Sequence, residues 1–144
     1  MRLFATPEEA APVLQAPQVA DQARQALAAA SDLYEASFDI LPDPAPAGLE
    51  PLTLGIGIES GPSMAGSFGP ANRRTHMVLG RTVTIASRLV DMTADLAHPI
   101  LVGEGLAAQV GGAELESLGT FLLEGMRVPH HVYACPTRRA PQLH

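Results

Sequence analysis

The segment Leu52-Thr53-Leu54-Gly55-Ile56-Gly57-Ile58-Glu59 constrains the fold more than any other stretch, because it alternates large apolar residues with glycine or polar ones. Successive side chains of a strand point to opposite faces, so this pattern predicts a strand packed hard on one face. The glycines let another element lie close on the other face. Such a strand needs partners on both sides, and the rest of the chain must supply them.

The 144 residues suffice for one domain and leave no room for separate sensor and effector modules. With 47% hydrophobic residues and only 17% charged there is enough apolar material for a core. Two Tyr, four Phe and no Trp make that core aliphatic. A net charge of −6 argues against wrapping nucleic acid or docking on an anionic membrane. All nine basic residues are Arg, which excludes Schiff-base lysine chemistry and a Walker-type phosphate lysine. The single Cys135 permits no intramolecular disulfide and no Cys-rich zinc site, so a reducing cytoplasm is the simplest setting. No apolar run approaches the roughly 18–20 residues of a membrane span.

Periodicity supplies the other elements. Leu3 to Ala5 reads as the end of a strand, and Glu8 to Pro17 as a loop. Apolar residues at three- and four-residue spacing from Val19 to Tyr34 predict a helix from Gln18 to about Phe38. Ser60-Gly61-Pro62-Ser63 is a turn after which Met64 to Phe68 returns as the second strand of a hairpin, and a polar loop leads to the apolar run Met77-Val78-Leu79. A second amphipathic helix runs from Thr82 to Leu96. A buried strand at Pro99 to Val102 and a short helix from Glu104 to Val110 follow. Leu115 to Leu123 and His131 to Cys135 form a closing hairpin around Gly125. This order predicts an α+β sandwich with helices on one face of a mainly antiparallel sheet. Residues 1–135 make the domain and 136–144 a frayed tail.

Charge is unevenly placed. From Ser60 to Val90 there is no Asp or Glu, yet Arg73, Arg74, Arg81, Arg88 and His76 all lie there. Guanidinium groups suit forked hydrogen bonding to phosphate oxygens, and a helix start adds partial positive charge and free N–H groups. Arg81, Thr84 and Arg88 are three and four residues apart and project from nearly one helical face. Phosphate or polyphosphate fits this cluster, and so does a solvated basic rim paired with acidic loops.

Here the sequence resembles the class III adenylate/guanylate cyclase catalytic domain. The resemblance runs through Leu54 to Gly61, Ala65 to Gly69, Arg74 to Leu89, Pro99 to Val102, Leu118-Gly119 and Gly125 to Tyr133, in the family's order. It implies a ferredoxin-like nucleotidyl cyclase fold in which two domains pair head to tail around ATP or GTP, most simply as a homodimer. It also implies attack of the ribose 3′-hydroxyl on the α-phosphate with pyrophosphate leaving, helped by magnesium or manganese. By this resemblance Arg88 matches the transition-state Arg, Thr84 stands at the ribose-contacting Asn position, and Met77 at the position that helps choose adenine or guanine. Gly80, Arg81 and Arg74 fall on the nucleotide-binding stretch.

The departures shape the expectation. The family's two metal-binding Asp residues precede the strand that Met1 to Ala5 finishes, so the chain is expected to lack that N-terminal metal-binding part and to hold no metal by itself. Arg81 replaces the usual Asp, and Glu124 the Lys of a late Lys-Gly step. The implied function is the ribose and phosphate side of a dimeric cyclase site, adenylate-type by expectation, that converts ATP to cyclic AMP and pyrophosphate in signal transduction, or alternatively a degenerate, inactive cyclase-homology module acting as a dimerisation or regulatory partner. The setting is cytoplasmic, alone or as the cytoplasmic part of a membrane-tethered sensor. His130 and His131 adjoin in a strand and point to opposite faces, so they do not chelate one metal, and Ser60 and Ser63 have no identifiable His and Asp partners for nucleophile chemistry.

Overall fold

A computed structural model describes residues 16–40, 53–111 and 114–137. The expected strand at Leu3 to Ala5, the loop from Glu8 as far as residue 15 and most of the 136–144 tail lie outside the described residues, while Ala16 and Pro17, expected in that loop, open the first helix. The elements are α1 (Ala16–Ile40), β1 (Ile56–Ile58), β2 (Met64–Phe68), β3 (Thr75–Leu79), α2 (Arg81–Met92), β4 (Ile100–Gly103), α3 (Glu104–Val110), β5 (Glu116–Phe121) and β6 (His130–Ala134).

β1, β4, β6 and β5 form one sheet in that order. β1 and β4 run parallel, whereas β4–β6 and β6–β5 are antiparallel, so the sheet is mainly antiparallel as expected. The helices cover both of its faces rather than one. Ile56, Ile58, Ile100 and Val102 pack against Ala23, Leu27, Ala30 and Tyr34 of α1 and Leu106 and Val110 of α3. Leu101, Val132 and Ala134 turn to the other face and pack on Ile85 and Leu89 of α2. The cause is visible in β4, whose unbroken apolar run Ile100-Leu101-Val102 is buried on both sides, unlike an alternating strand that faces water.

The glycine face of β1 is where α2 lies. A Cβ on Gly57 would stand 2.3 Å from the Ala86 carbonyl oxygen and 2.8 Å from the Val90 nitrogen, so helix backbone rests directly on strand backbone. That contact fixes the height and direction of α2, and with them the residues at its start.

β2 forms a hairpin with β3, from Met64 opposite Leu79 to Phe68 opposite Thr75, and not with β1. The Thr82 hydroxyl donates to the Pro62 carbonyl at 2.8 Å, tying the 60–63 turn to α2 and carrying the chain off the sheet. β1 takes β4 as its partner instead, beginning with the Ile56 amide donating to the Pro99 carbonyl at 2.8 Å.

Candidate functional site at the start of α2

Gly80 joins β3 to α2 with φ 141°, a left-handed conformation that side chains disfavour. It occupies the N-cap position, so no side chain caps the helix, and no acidic residue lies in the first turn. An uncapped helix start with this charge pattern favours an anion.

The three residues expected on one face of α2 do not converge. Arg81 turns toward the sheet, its Nη2 donating to His130 Nε2 at 3.1 Å. The Thr84 hydroxyl bends back to the Gly80 carbonyl at 3.3 Å, which spends its proton on the helix's own first turn. Arg88 reaches Glu124 at 3.3 Å and Asp91 at 3.6 Å, both on the exposed side. Met77 lies on β3 and is 41% exposed, and Arg74 is exposed just before that strand. Met77, Gly80, Arg81 and Thr84 thus follow one another across the hairpin–helix junction, Arg88 lies one turn further on, and Arg74 stands at the far end of β3.

Beside Arg81 a cavity of about 430 Å³ opens between the end of β1 and the starts of α2, α3 and β6, lined among others by Glu59, Glu104 and His130. Sequence reasoning did not group these three. The His130 ring is almost fully buried. Its Nδ1 lies 3.4 Å from Glu104 Oε1, within ion-pair range but without hydrogen-bond geometry. His131 faces the other way, hydrogen-bonded to Ser117 and stacked on Tyr133, as the strand alternation requires. Burial pushes the Cys135 thiol up, which suits a small hydrophobe rather than a nucleophile.

Glu59 is 3% exposed, and its Oε1 accepts from the Ser60 amide at 2.8 Å and the Leu106 amide at 3.0 Å. Burial nevertheless raises its carboxyl above the ordinary 4.5, outweighing those bonds. A raised folded-state value means that the stabilising contribution is complete below the unfolded value and is lost as pH rises through the folded one. The folded chain should therefore gain stability as pH falls from that raised value toward 4.5. Glu59→Gln should flatten this part of the profile, as read by urea unfolding at stepped pH, and an unchanged profile would show that Glu59 is not its source.

Among the described residues no three His, Cys, Asp or Glu side chains are grouped to hold a metal ion. The donors among the described residues do not fit the divalent cations of a cyclase site. No helix among the described residues is long and apolar enough to cross a membrane.

Solved structures match the fold. A bacterial light-regulated adenylyl cyclase superposes with a TM-score of 0.64 at 21% identity, covering 87% of this chain and 35% of that one. The adenylyl cyclase CyaB from P. aeruginosa gives 0.57 at 18% identity over 92% of this chain and 66% of that one. The guanylyl cyclase Cya2 gives 0.51 at 20% identity over 86% and 60%. The chain therefore spans between about a third and two thirds of these proteins, and at such identities the likeness establishes the fold. Neither a family model nor a curated protein sequence matches.

Proposed function

We propose that the chain is a nucleotidyl cyclase-type domain that supplies the ribose and phosphate side of a site shared with a second cyclase domain. ATP, or GTP, is the proposed substrate, cyclised in the cytoplasm with release of pyrophosphate. The observation that carries this reading is the hairpin–helix junction, where a cyclase-type fold presents Met77, the Gly80 turn, Arg81, Thr84 and Arg88 in succession. Met77 lies beside the base. Thr84 and Arg88 address the ribose and the transferring phosphate, and Gly80, Arg81 and Arg74 the remaining phosphates. Magnesium or manganese comes with carboxylates of the partner domain. The chain alone, given ATP or GTP with either metal, should yield no cyclic nucleotide, and any product from it in a turnover assay would overturn this division of labour.

The hairpin supports pairing. Its register puts Met64, Phe68, Met77 and Leu79 on one face, and all four are exposed, from 36% at Phe68 to 65% at Met64. An apolar ribbon of this kind is a pairing surface whose natural occupant is a metal-bearing cyclase-type domain, and in the purified chain a second copy takes its place. Light scattering should show a dimer, and Leu79→Glu should shift it to monomer with an unchanged helical signal. A wild-type monomer at high concentration would contradict the proposal.

One contact favours the second reading, a pairing module without chemistry: Glu124 holds Arg88 where a phosphate should. Nucleotide titration of the Glu124→Gln and Glu124→Lys variants separates the two. Tighter binding in that order supports the shared site, whereas no binding in any form supports the silent module.

A further inference from the structure

The two α2 arginines are braced in opposite ways. Arg88 shares its charge with two carboxylates, whereas the hydrogen bond Arg81 makes is to an imidazole nitrogen, at 3.1 Å from His130 Nε2. A guanidinium can only donate, so Nε2 must offer a lone pair and the ring proton resides on Nδ1. Nδ1 lies 3.4 Å from Glu104 Oε1 without hydrogen-bond geometry, and the ring is 5% exposed. A neutral acceptor fixes the direction of an arginine without cancelling its charge, which a carboxylate would do. Arg81 therefore keeps a full positive charge at the uncapped start of α2, on the rim of the 430 Å³ cavity.

We propose that His130 is a positioning residue that holds the Arg81 guanidinium oriented toward a phosphate group of the bound nucleotide. This rests on the nucleotide-binding reading above and adds the group that aims its phosphate contact. The charged groups that line the cavity with His130 are Arg81 from α2, Glu104 from α3 and Glu59 from the end of β1.

The test has one readout that needs no nucleotide and one that does. Nitrogen-15 NMR of the full chain at neutral pH should show His130 with Nδ1 protonated and Nε2 bare, and Arg81→Ala should move the Nε2 signal. A protonated Nε2, or a signal indifferent to Arg81, overturns the proposal whatever the chain binds. In ATP titrations of the paired domain, His130→Leu should weaken binding about tenfold, and His130→Gln, whose oxygen can still accept, should stay within about twofold. In the Arg81→Ala background, His130→Leu should add nothing, because a positioning residue acts only through its partner. Should His130→Leu fail to fold, Arg81→Ala on the exposed helix start and His130→Gln carry the comparison. Unchanged ATP affinity in Arg81→Ala, or equal losses in His130→Gln and His130→Leu, overturns the positioning role. Absence of ATP binding by the wild-type pair overturns the functional reading itself, and the proposal with it.

Discussion

Gly57→Val should cost about 3 kcal/mol or more of folding stability, at the top of the range for forcing volume into a packed interior. The added Cβ would meet the Ala86 carbonyl oxygen at 2.3 Å, the Val90 nitrogen at 2.8 Å and the Leu89 Cβ at 2.9 Å. The first two are helix backbone and have no rotamer to escape into, so α2 would have to lift off the sheet. Leu89 and Ile85, buried against Leu101 and Val132, would lose their packing in the process. Gly66 provides the control. A Cβ there would find only the Phe68 ring, at 3.5 Å, an ordinary contact on an exposed hairpin. Thermal unfolding should show a large drop for Gly57→Val and little change for Gly66→Ala. Equal effects would show that close packing of α2 on β1 is not what Gly57 is for.

Arg88→Ala should weaken nucleotide binding by roughly 1.5–3 kcal/mol, the range for a hydrogen bond to a charged group, or about ten- to a hundredfold. The measurement belongs in an assembly with a metal-bearing cyclase domain. Glu124 and Asp91 already neutralise Arg88, but both pairs lie at the surface, with Glu124 84% exposed. Exposed pairs are worth up to about 1 kcal/mol, so a multiply charged phosphate displaces them. Folding should change by no more than about 0.5 kcal/mol. Unaltered affinity and activity would assign Arg88 to a solvated face and shift the reading to a silent pairing module.

How much of this was legible in the sequence differs from element to element. The glycine alternation before Glu59 announced both the buried face of β1 and the close approach on its other side, since period-two patterning needs no long-range information. α2 and α3 were equally plain from their periodicity, although α2 ends at Met92 rather than Leu96. Strand pairing was not plain. Nothing local in Met64 to Phe68 says whether it pairs backward with β1 or forward with β3, and the deciding bond joins Thr82 to Pro62, 20 positions apart. The coverage of both sheet faces was written in Ile100-Leu101-Val102, whose lack of alternation marks a strand buried on both sides.

The site shows the same divide. Met77 and Gly80 were singled out only by the resemblance to the cyclase family, whereas Arg81, Thr84 and Arg88 fall within one short stretch and could be found by spacing and charge. Their partners could not: Glu124 is 36 positions from Arg88, and His130 is 49 from Arg81. Glu59, Glu104 and His130 come from three separate elements, and only the fold makes them neighbours. Side-chain direction was also hidden, because a shared helical face fixes where Arg81 and Arg88 begin but not where long flexible side chains end.

The central claim, that this chain supplies the ribose and phosphate side of a shared cyclase site, is tested most directly by complementation. The chain is mixed with a class III cyclase domain that keeps its two metal-binding aspartates but has its own ribose and phosphate contacts removed, together with ATP or GTP and magnesium or manganese. Cyclic nucleotide and pyrophosphate should form only in the mixture, and their yield should fall at least about tenfold with Arg88→Ala. A mixed dimer that forms by light scattering yet makes no product and binds no nucleotide would contradict the claim.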